Sequence, residues 1–194
     1  VTDEERERAV ELLQMMGYRG GPIVALHPLS GSTAISRRWP AAAFVWLGQE
    51  LIEQQDANVL LVGSPDERSA LIKMAERIDE ETMVAAGRTS LHELAALLSL
   101  CKVFVGNDSG PMHLAAAMGV RTIGLFGPNT PVKWGPLGAG NHVLSAHLPC
   151  SPCIRVSHGQ FQECPLPICM TSIRPEQALA VVEEVLSEKG VYIQ

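Results

Sequence analysis

The chain has no surplus of positive charge: 15 Lys and Arg stand against 21 Asp and Glu, and the net charge of −6 argues against a general nucleic-acid binder. It has no uninterrupted apolar run of about 18 residues, the length that a bilayer span requires. His113 and Arg121 break the best candidate. The N-terminus is acidic and lacks the apolar core of a secretory signal. The fingerprint G-x-G-x-x-G does not follow the first apolar strand, which disfavours a dehydrogenase. Internal repeats and low-complexity segments are missing as well. What is present is 194 residues, 46% hydrophobic and 19% charged, enough apolar material for the core of one globular domain. The expectation is a cytoplasmic protein that is not embedded in a membrane but can work at its surface.

The chain begins at Val1 rather than Met, which suggests a fragment or a processed product. Thr2-Asp3-Glu4-Glu5 reads as a capping box, and Ala9, Val10, Leu12, Leu13 and Met16 form an apolar stripe on a charged helix that ends near Gly17. After it, β-rich runs alternate with helical patterns. The spacing predicts strands at 23–28, 58–63, 82–87, 102–106 and 121–126, with a short one at 142–146. Helices are predicted at 40–54, 66–78, 91–100, 109–118 and 175–188. Such alternation implies an α/β fold, a parallel sheet with helices on both faces, because each parallel connection needs a crossover. Ligands of these sheets bind beyond the carboxyl ends of the strands.

The most informative stretch is Val103–Gly119, a strand that ends in polar residues and turns at once into a helix. Asp108 and Ser109 are favoured N-cap residues, Gly110 lets a ligand approach the backbone, Pro111 suits a first helical turn, and Gly119 closes the helix. Free N–H groups at such a junction suit a phosphate, although the pattern also fits an ordinary capped βα unit. Ser30, Gly31 and Ser32 follow the first strand, where small residues either bring N–H groups to a phosphate or simply make a turn. At the end of the second strand, Asp66 or Glu67 can accept from ribose hydroxyls or cap the next helix. His113 lies four positions after Ser109, on the same helical face, where it either reaches a ligand or sits half-buried.

The run Asn107-Asp108-Ser109-Gly110-Pro111-Met112-His113, with Phe126-Gly127-Pro128 after it and Ile23–Ser32 and Arg37-Arg-Trp-Pro40 before it, resembles glycosyltransferase family 9. These are the ADP-heptose:lipopolysaccharide heptosyltransferases, and the resemblance is to their C-terminal, nucleotide-sugar-binding domain, over nearly the whole chain. Leu29 and Arg37 differ from the family's usual Gly and Lys, and Asn129-Thr130 from its Thr-Asp. The resemblance implies a Rossmann-like domain at 21–194, the C-terminal half of a GT-B glycosyltransferase, with residues 1–20 as the linker helix from an N-terminal domain. It implies that Arg37 neutralises the donor pyrophosphate, unless it is a solvated side chain beside Trp39. Asp108 would serve the donor near its sugar and phosphates, by bonding a sugar hydroxyl or by orienting Ser109 and Gly110. Leu125, Phe126 and Gly127 would seat the adenine or pack in the core; Thr130 would add a hydroxyl to phosphate, and Trp134 would wall the cleft. The reaction implied is a metal-independent, inverting transfer of heptose from ADP-heptose to the lipopolysaccharide inner core. Its acceptor and catalytic base would lie in the other domain, so no catalytic residue and no cofactor is assigned here, and the isolated chain would bind nucleotide without turnover. Two alternatives compete: a UDP-sugar epimerase of the same architecture, and a non-catalytic nucleotide-binding or zinc-stabilised interaction module.

Cys150-x2-Cys153, followed by Cys164 and Cys169, invites a structural zinc reading. The second pair is spaced by four residues rather than two, and similar patterns recur in the resembled family without a catalytic metal being implied. Free thiols in a reducing compartment are therefore preferred. Cys101 reads as a core residue.

Overall fold

The computed structural model of the protein describes residues 1–31, 35–154 and 164–187. In chain order the elements are α1 (Asp3–Met15), β1 (Ile23–His27), α2 (Ala41–Gln55), β2 (Asn58–Leu61), α3 (Arg68–Ile78), β3 (Met83–Val84) and α4 (Leu91–Ser99). They continue with β4 (Val103–Asn107), α5 (Gly110–Ala117), β5 (Arg121–Phe126), α6 (Pro131–Trp134), β6 (His142–Ser145), α7 (Ile168–Thr171) and α8 (Pro175–Ser187). The six strands form one sheet in the order β3-β2-β1-β4-β5-β6, every pairing parallel. Strand order reverses between β1 and β4, so that connections from their carboxyl ends leave toward opposite faces, the place where sheets of this topology bind ligands.

Alternation along the strands sorts the core into two layers. Val24, Leu26, Val59, Leu61, Val103, Val105, Ile123 and Leu125 face α2, α3, α7 and α8. Ile23, Ala25, Leu60, Val62, Phe104 and Phe126 face α1, α4 and α5. With both faces covered, β1 and β4 are buried at every position. The capping box foreseen at Thr2 and Glu5 starts α1, and Ser90 with Glu93 does the same for α4.

Differences from the expected elements are local. The strand expected at 82–87 shrinks to Met83–Val84, because Gly87, at φ +68°, turns the chain while its N–H still bonds Gly63 O. Two four-residue helices went unforeseen: α6 has Pro131 in its first turn, and Pro167 is the N-cap of α7. The last predicted helix ends at Ser187; residue 188 lies outside the described residues.

Candidate functional site

The site is built on the ends of β1 and β4. Asn107 closes β4 fully buried, and its amide joins two loops: Trp39 N–H donates to Oδ1 at 2.9 Å, and Nδ2 donates to Pro28 O at 2.8 Å. Trp39 is itself locked, its indole N–H donating to Ile173 O at 2.9 Å and its ring meeting Phe44 edge-on at 4.9 Å. Trp39-Pro40 thus pins the loop before α2 to the end of the central strand and brings Arg37, in a short 3-10 turn, against Asp108.

Arg37 Nη1 lies 3.2 Å from Asp108 Oδ2, in a pair whose side chains are 18% and 6% exposed. Asn129 Nδ2 donates to the same oxygen at 2.7 Å, while its Oδ1 accepts from Thr130 N–H at 3.0 Å. Segments after β1, β4 and β5 are therefore joined through one carboxylate. The solvated alternative for Arg37 gives way to an ion pair.

Ser109 is the N-cap of α5, but its hydroxyl makes no cap bond. It faces His27 Nδ1 at 2.9 Å and donates to Asn107 O at 3.0 Å. Asp108 does not cap either, since Oδ2 receives Arg37 and Asn129. The capping expected of both side chains is thus replaced by cross-links between strands. A Cβ built at Gly110 would meet nothing within 4 Å, so the space beside the first turn is open. A helix start that keeps its N–H groups uncapped and open favours an anion there.

Glu67 joins this cluster and Asp66 does not, being exposed. The Glu67 carboxylate accepts from Ser64 N–H at 2.8 Å and Gly31 N–H at 3.1 Å, and lies 3.7 Å from His27 Nε2. His27, outweighing the cost of burial, and then the two N–H donors hold its pKa down at about 2. Capping and site construction are here one function. Gly31 sits at φ +71°, and its N–H, expected to face a phosphate, is engaged by Glu67. Arg38 donates to Ser30 Oγ at 3.3 Å and to Gly31 O at 2.7 Å. Ser32 lies outside the described residues.

The other expected positions spread around this centre. Pro111 is half-buried in the first turn of α5 and His113 is exposed, not half-buried. Leu125 and Phe126 are buried in opposite core layers, so what they present at the strand end is main chain. Gly127 leaves no room for a side chain: a Cβ would meet Met170 Sδ at 2.5 Å and Cys169 Sγ at 2.7 Å. Thr130 is the N-cap of α6, without a side-chain cap bond. Trp134 is part-exposed on the same helix, with Lys133 Nζ 4.9 Å from its ring centre. The cysteines are free thiols: Cys150 and Cys153 exposed, Cys164 half-buried, Cys169 and Cys101 buried. Among the described residues no three His, Cys, Asp or Glu side chains converge as metal ligands.

Three residues of the cluster carried no role in the sequence reading: His27, Asn107 and Asn129. Their signal was present, since His27 and Asn107 are polar residues closing apolar strands, where burial demands partners. Cavity volume points elsewhere: cavities of about 480 and 370 Å³ both lie against α1, the second between α1 and the start of β1, lined by Val10, Leu13, Tyr18 and Ile23. Neither holds any of the polar cluster, and the second is at the opposite end of the strands, so the chemistry, not the volume, marks the site.

The model of glycosyltransferase family 9 (heptosyltransferase) matches residues 1–160. The chain belongs to glycosyltransferase family 9. It is 29% identical over 178 residues to lipopolysaccharide heptosyltransferase 1 of Pseudomonas aeruginosa, covering 86% of this chain and 49% of that protein. It is 32% identical over 180 residues to lipooligosaccharide heptosyltransferase 2 of Haemophilus influenzae, covering 90% and 49%. The solved structure of Escherichia coli ADP-heptose lps heptosyltransferase II superposes with a TM-score of 0.75 at 25% identity, covering 96% of this chain and 52% of that one. The chain spans about half the length of these relatives. Membership in family 9 favours the transferase over the epimerase and interaction-module alternatives. Among the described residues, no helix is long and apolar enough to cross a membrane.

Proposed function

We propose that this chain is the donor-binding part of a heptosyltransferase, taking ADP-heptose at the carboxyl ends of β1, β4 and β5 for transfer of heptose to a lipopolysaccharide inner-core acceptor. The observation that carries this is the Arg37–Asp108 pair beside the open, uncapped start of α5. The pyrophosphate of a nucleotide sugar fits there: N–H groups of the first turn and the planar fork of Arg37 would meet its oxygens. Asp108 and Asn129 fix the guanidinium in advance, so little reorganisation is needed as negative charge grows on the leaving ADP. The adenine lies beyond β5 against the main chain at Phe126–Gly127, Glu67 stands on the ribose side, and Thr130 adds a donor near phosphate.

In the step itself an acceptor hydroxyl attacks the anomeric carbon, the bond from that carbon to the phosphate oxygen breaks, and ADP leaves with inversion and without a metal. The base that takes the hydroxyl proton belongs to the part of the relatives' length that this chain does not span. The enzyme works in the cytoplasm, at the membrane face that carries its acceptor. Calorimetric titration tests the donor assignment: ADP should bind at least about tenfold more tightly than UDP or GDP, a difference near 1.4 kcal/mol. Equal affinities, or a preference for UDP, would reject it.

A further inference from the structure

We propose that the turn carried by α6 is a docking surface for an anionic lipid bilayer, with Val132, Trp134 and Leu137 entering the interface and Lys133 meeting the headgroups. The inference goes beyond the donor-site reading: it concerns a different set of side chains and can fail separately.

Charge along this chain is segregated. All 21 Asp and Glu residues lie outside the stretch from Ser109 to Gln162, which carries Arg121, Lys133 and Arg155. An acidic chain thus has one long stretch without a carboxylate side chain, and Asp108, at its border, is paired with Arg37. Large apolar residues come to the surface in the same stretch. Val132 is 96% exposed and Leu137 82%, and Trp134 and Val143 are part-exposed. Apolar residues scattered singly over a surface are ordinary, whereas apolar neighbours form a patch that calls for a partner.

The edge of the sheet makes these residues neighbours. β6 is the last strand and pairs with β5 alone. Its alternation sends Leu144 into the core layer of α8 and turns Val143 to the opposite face. A Cβ built at Gly135 would lie 3.6 Å from Val143 Cγ2, so the turn that ends α6 rests on that valine. Lys133 Nζ stands 4.9 Å from the ring centre of Trp134, which sets the cation beside the aromatic. Pro131 and Pro136 bracket the turn and fix φ at each end.

Shape and charge together select the partner. A side chain as exposed as Val132 protrudes, and a protein would need a pocket made to receive it, while a bilayer takes a protruding apolar group without one. Tryptophan settles at headgroup level, and a lysine lays its stem on apolar surface with the ammonium at the phosphates. Screening confines charge interactions to about 8 Å at physiological ionic strength, so the headgroups meet Lys133 and its uncharged neighbours before the net charge of −6. A patch of this size gives reversible attachment rather than insertion.

The test is co-sedimentation of the chain with vesicles of phosphatidylcholine alone and of phosphatidylcholine mixed with phosphatidylglycerol. Wild type should partition at least about fivefold more strongly onto the anionic vesicles. Val132→Ser combined with Leu137→Ser, at positions too exposed to hold the fold together, should keep the wild-type melting temperature and partition at least about tenfold more weakly. Lys133→Glu should lose at least about fivefold on anionic vesicles and nothing on neutral ones. No partitioning of wild type, or a serine variant that partitions like wild type, would overturn the inference. So would a dimer in sedimentation velocity that the serine variant dissolves, since a second copy would then cover the face. Equal partitioning of wild type and serine variant in a chain extended to the relatives' length would overturn it too, by assigning the face to the added part. Vesicle binding as expected without any ADP binding would reject the donor site and support this surface.

Discussion

Asp108→Asn isolates what the buried ion pair does, because the substituted amide keeps an oxygen for Asn129 and removes only the charge beside Arg37. With Nη1 and Oδ2 at 3.2 Å, the direct attraction at an effective dielectric of roughly 20 is about 5 kcal/mol. Most of that is offset by desolvation, and a charge-assisted bond of this kind nets about 1.5–3 kcal/mol. Because the two side chains are only 18% and 6% exposed, little of this is screened by salt. For a chain of this size the loss lowers Tm by roughly 3–10 °C. The same change removes a competitor for Arg37, so ADP affinity should hold within about threefold or improve. Thermal denaturation by circular dichroism, at low and at moderate salt, with a parallel ADP titration, measures both. A Tm within about 1 °C of wild type would refute the stabilising pair. An unchanged Tm with ADP weakened tenfold or more would place the carboxylate on the nucleotide itself rather than on Arg37.

Two further changes separate scaffold from ligand contact. Gly110→Ala adds a methyl where nothing lies within 4 Å, so stability should stay level or rise, by no more than about 1 kcal/mol, while ADP affinity falls at least about fivefold because the methyl stands in the anion's approach. Calorimetry showing unchanged ADP affinity would mean that the backbone there is not approached. Glu67→Gln should change the pH dependence of stability: the folded-state pKa of Glu67 is held down at about 2, so its contribution is present above about pH 4.5 and disappears as pH falls toward 2. After allowance for partial solvation, the variant should be on the order of 2 kcal/mol less stable at pH 7, with the difference closing by about pH 2. Denaturant unfolding at three pH values checks this, and a constant difference would contradict it.

The layers of this fold were legible because period-2 and period-3.6 patterns are properties of neighbouring residues: the β4–α5 junction could be read from Val103 to Gly119 alone. Strand ends were less so, since β3 stops at Val84, with apolar Ala85 and Ala86 still to come before Gly87 turns the chain. The site was legible as a set of positions and illegible as a network. Asp108 and Ser109 have the composition of caps, and only the arrival of Arg37 from 71 residues away and His27 from 82 away commits them to other partners. Glu67 shows the converse, being the cap that its local motif announces and also the anchor of Gly31, a contact 36 residues distant. His27 escaped notice for the same reason: a histidine closing an apolar strand acquires meaning from what three other segments place around its ring.

The most direct test of the donor site is a titration of ADP into the ¹⁵N-labelled chain, followed through its backbone amides. The account predicts that the largest shift changes fall on Ser109, Gly110 and Met112, with Gly31 and Thr130 following as the loops after β1 and β5 respond. Shifts centred instead on Val10, Leu13 and Tyr18, around the cavity between α1 and β1, would put the nucleotide at the wrong end of the strands and contradict the account.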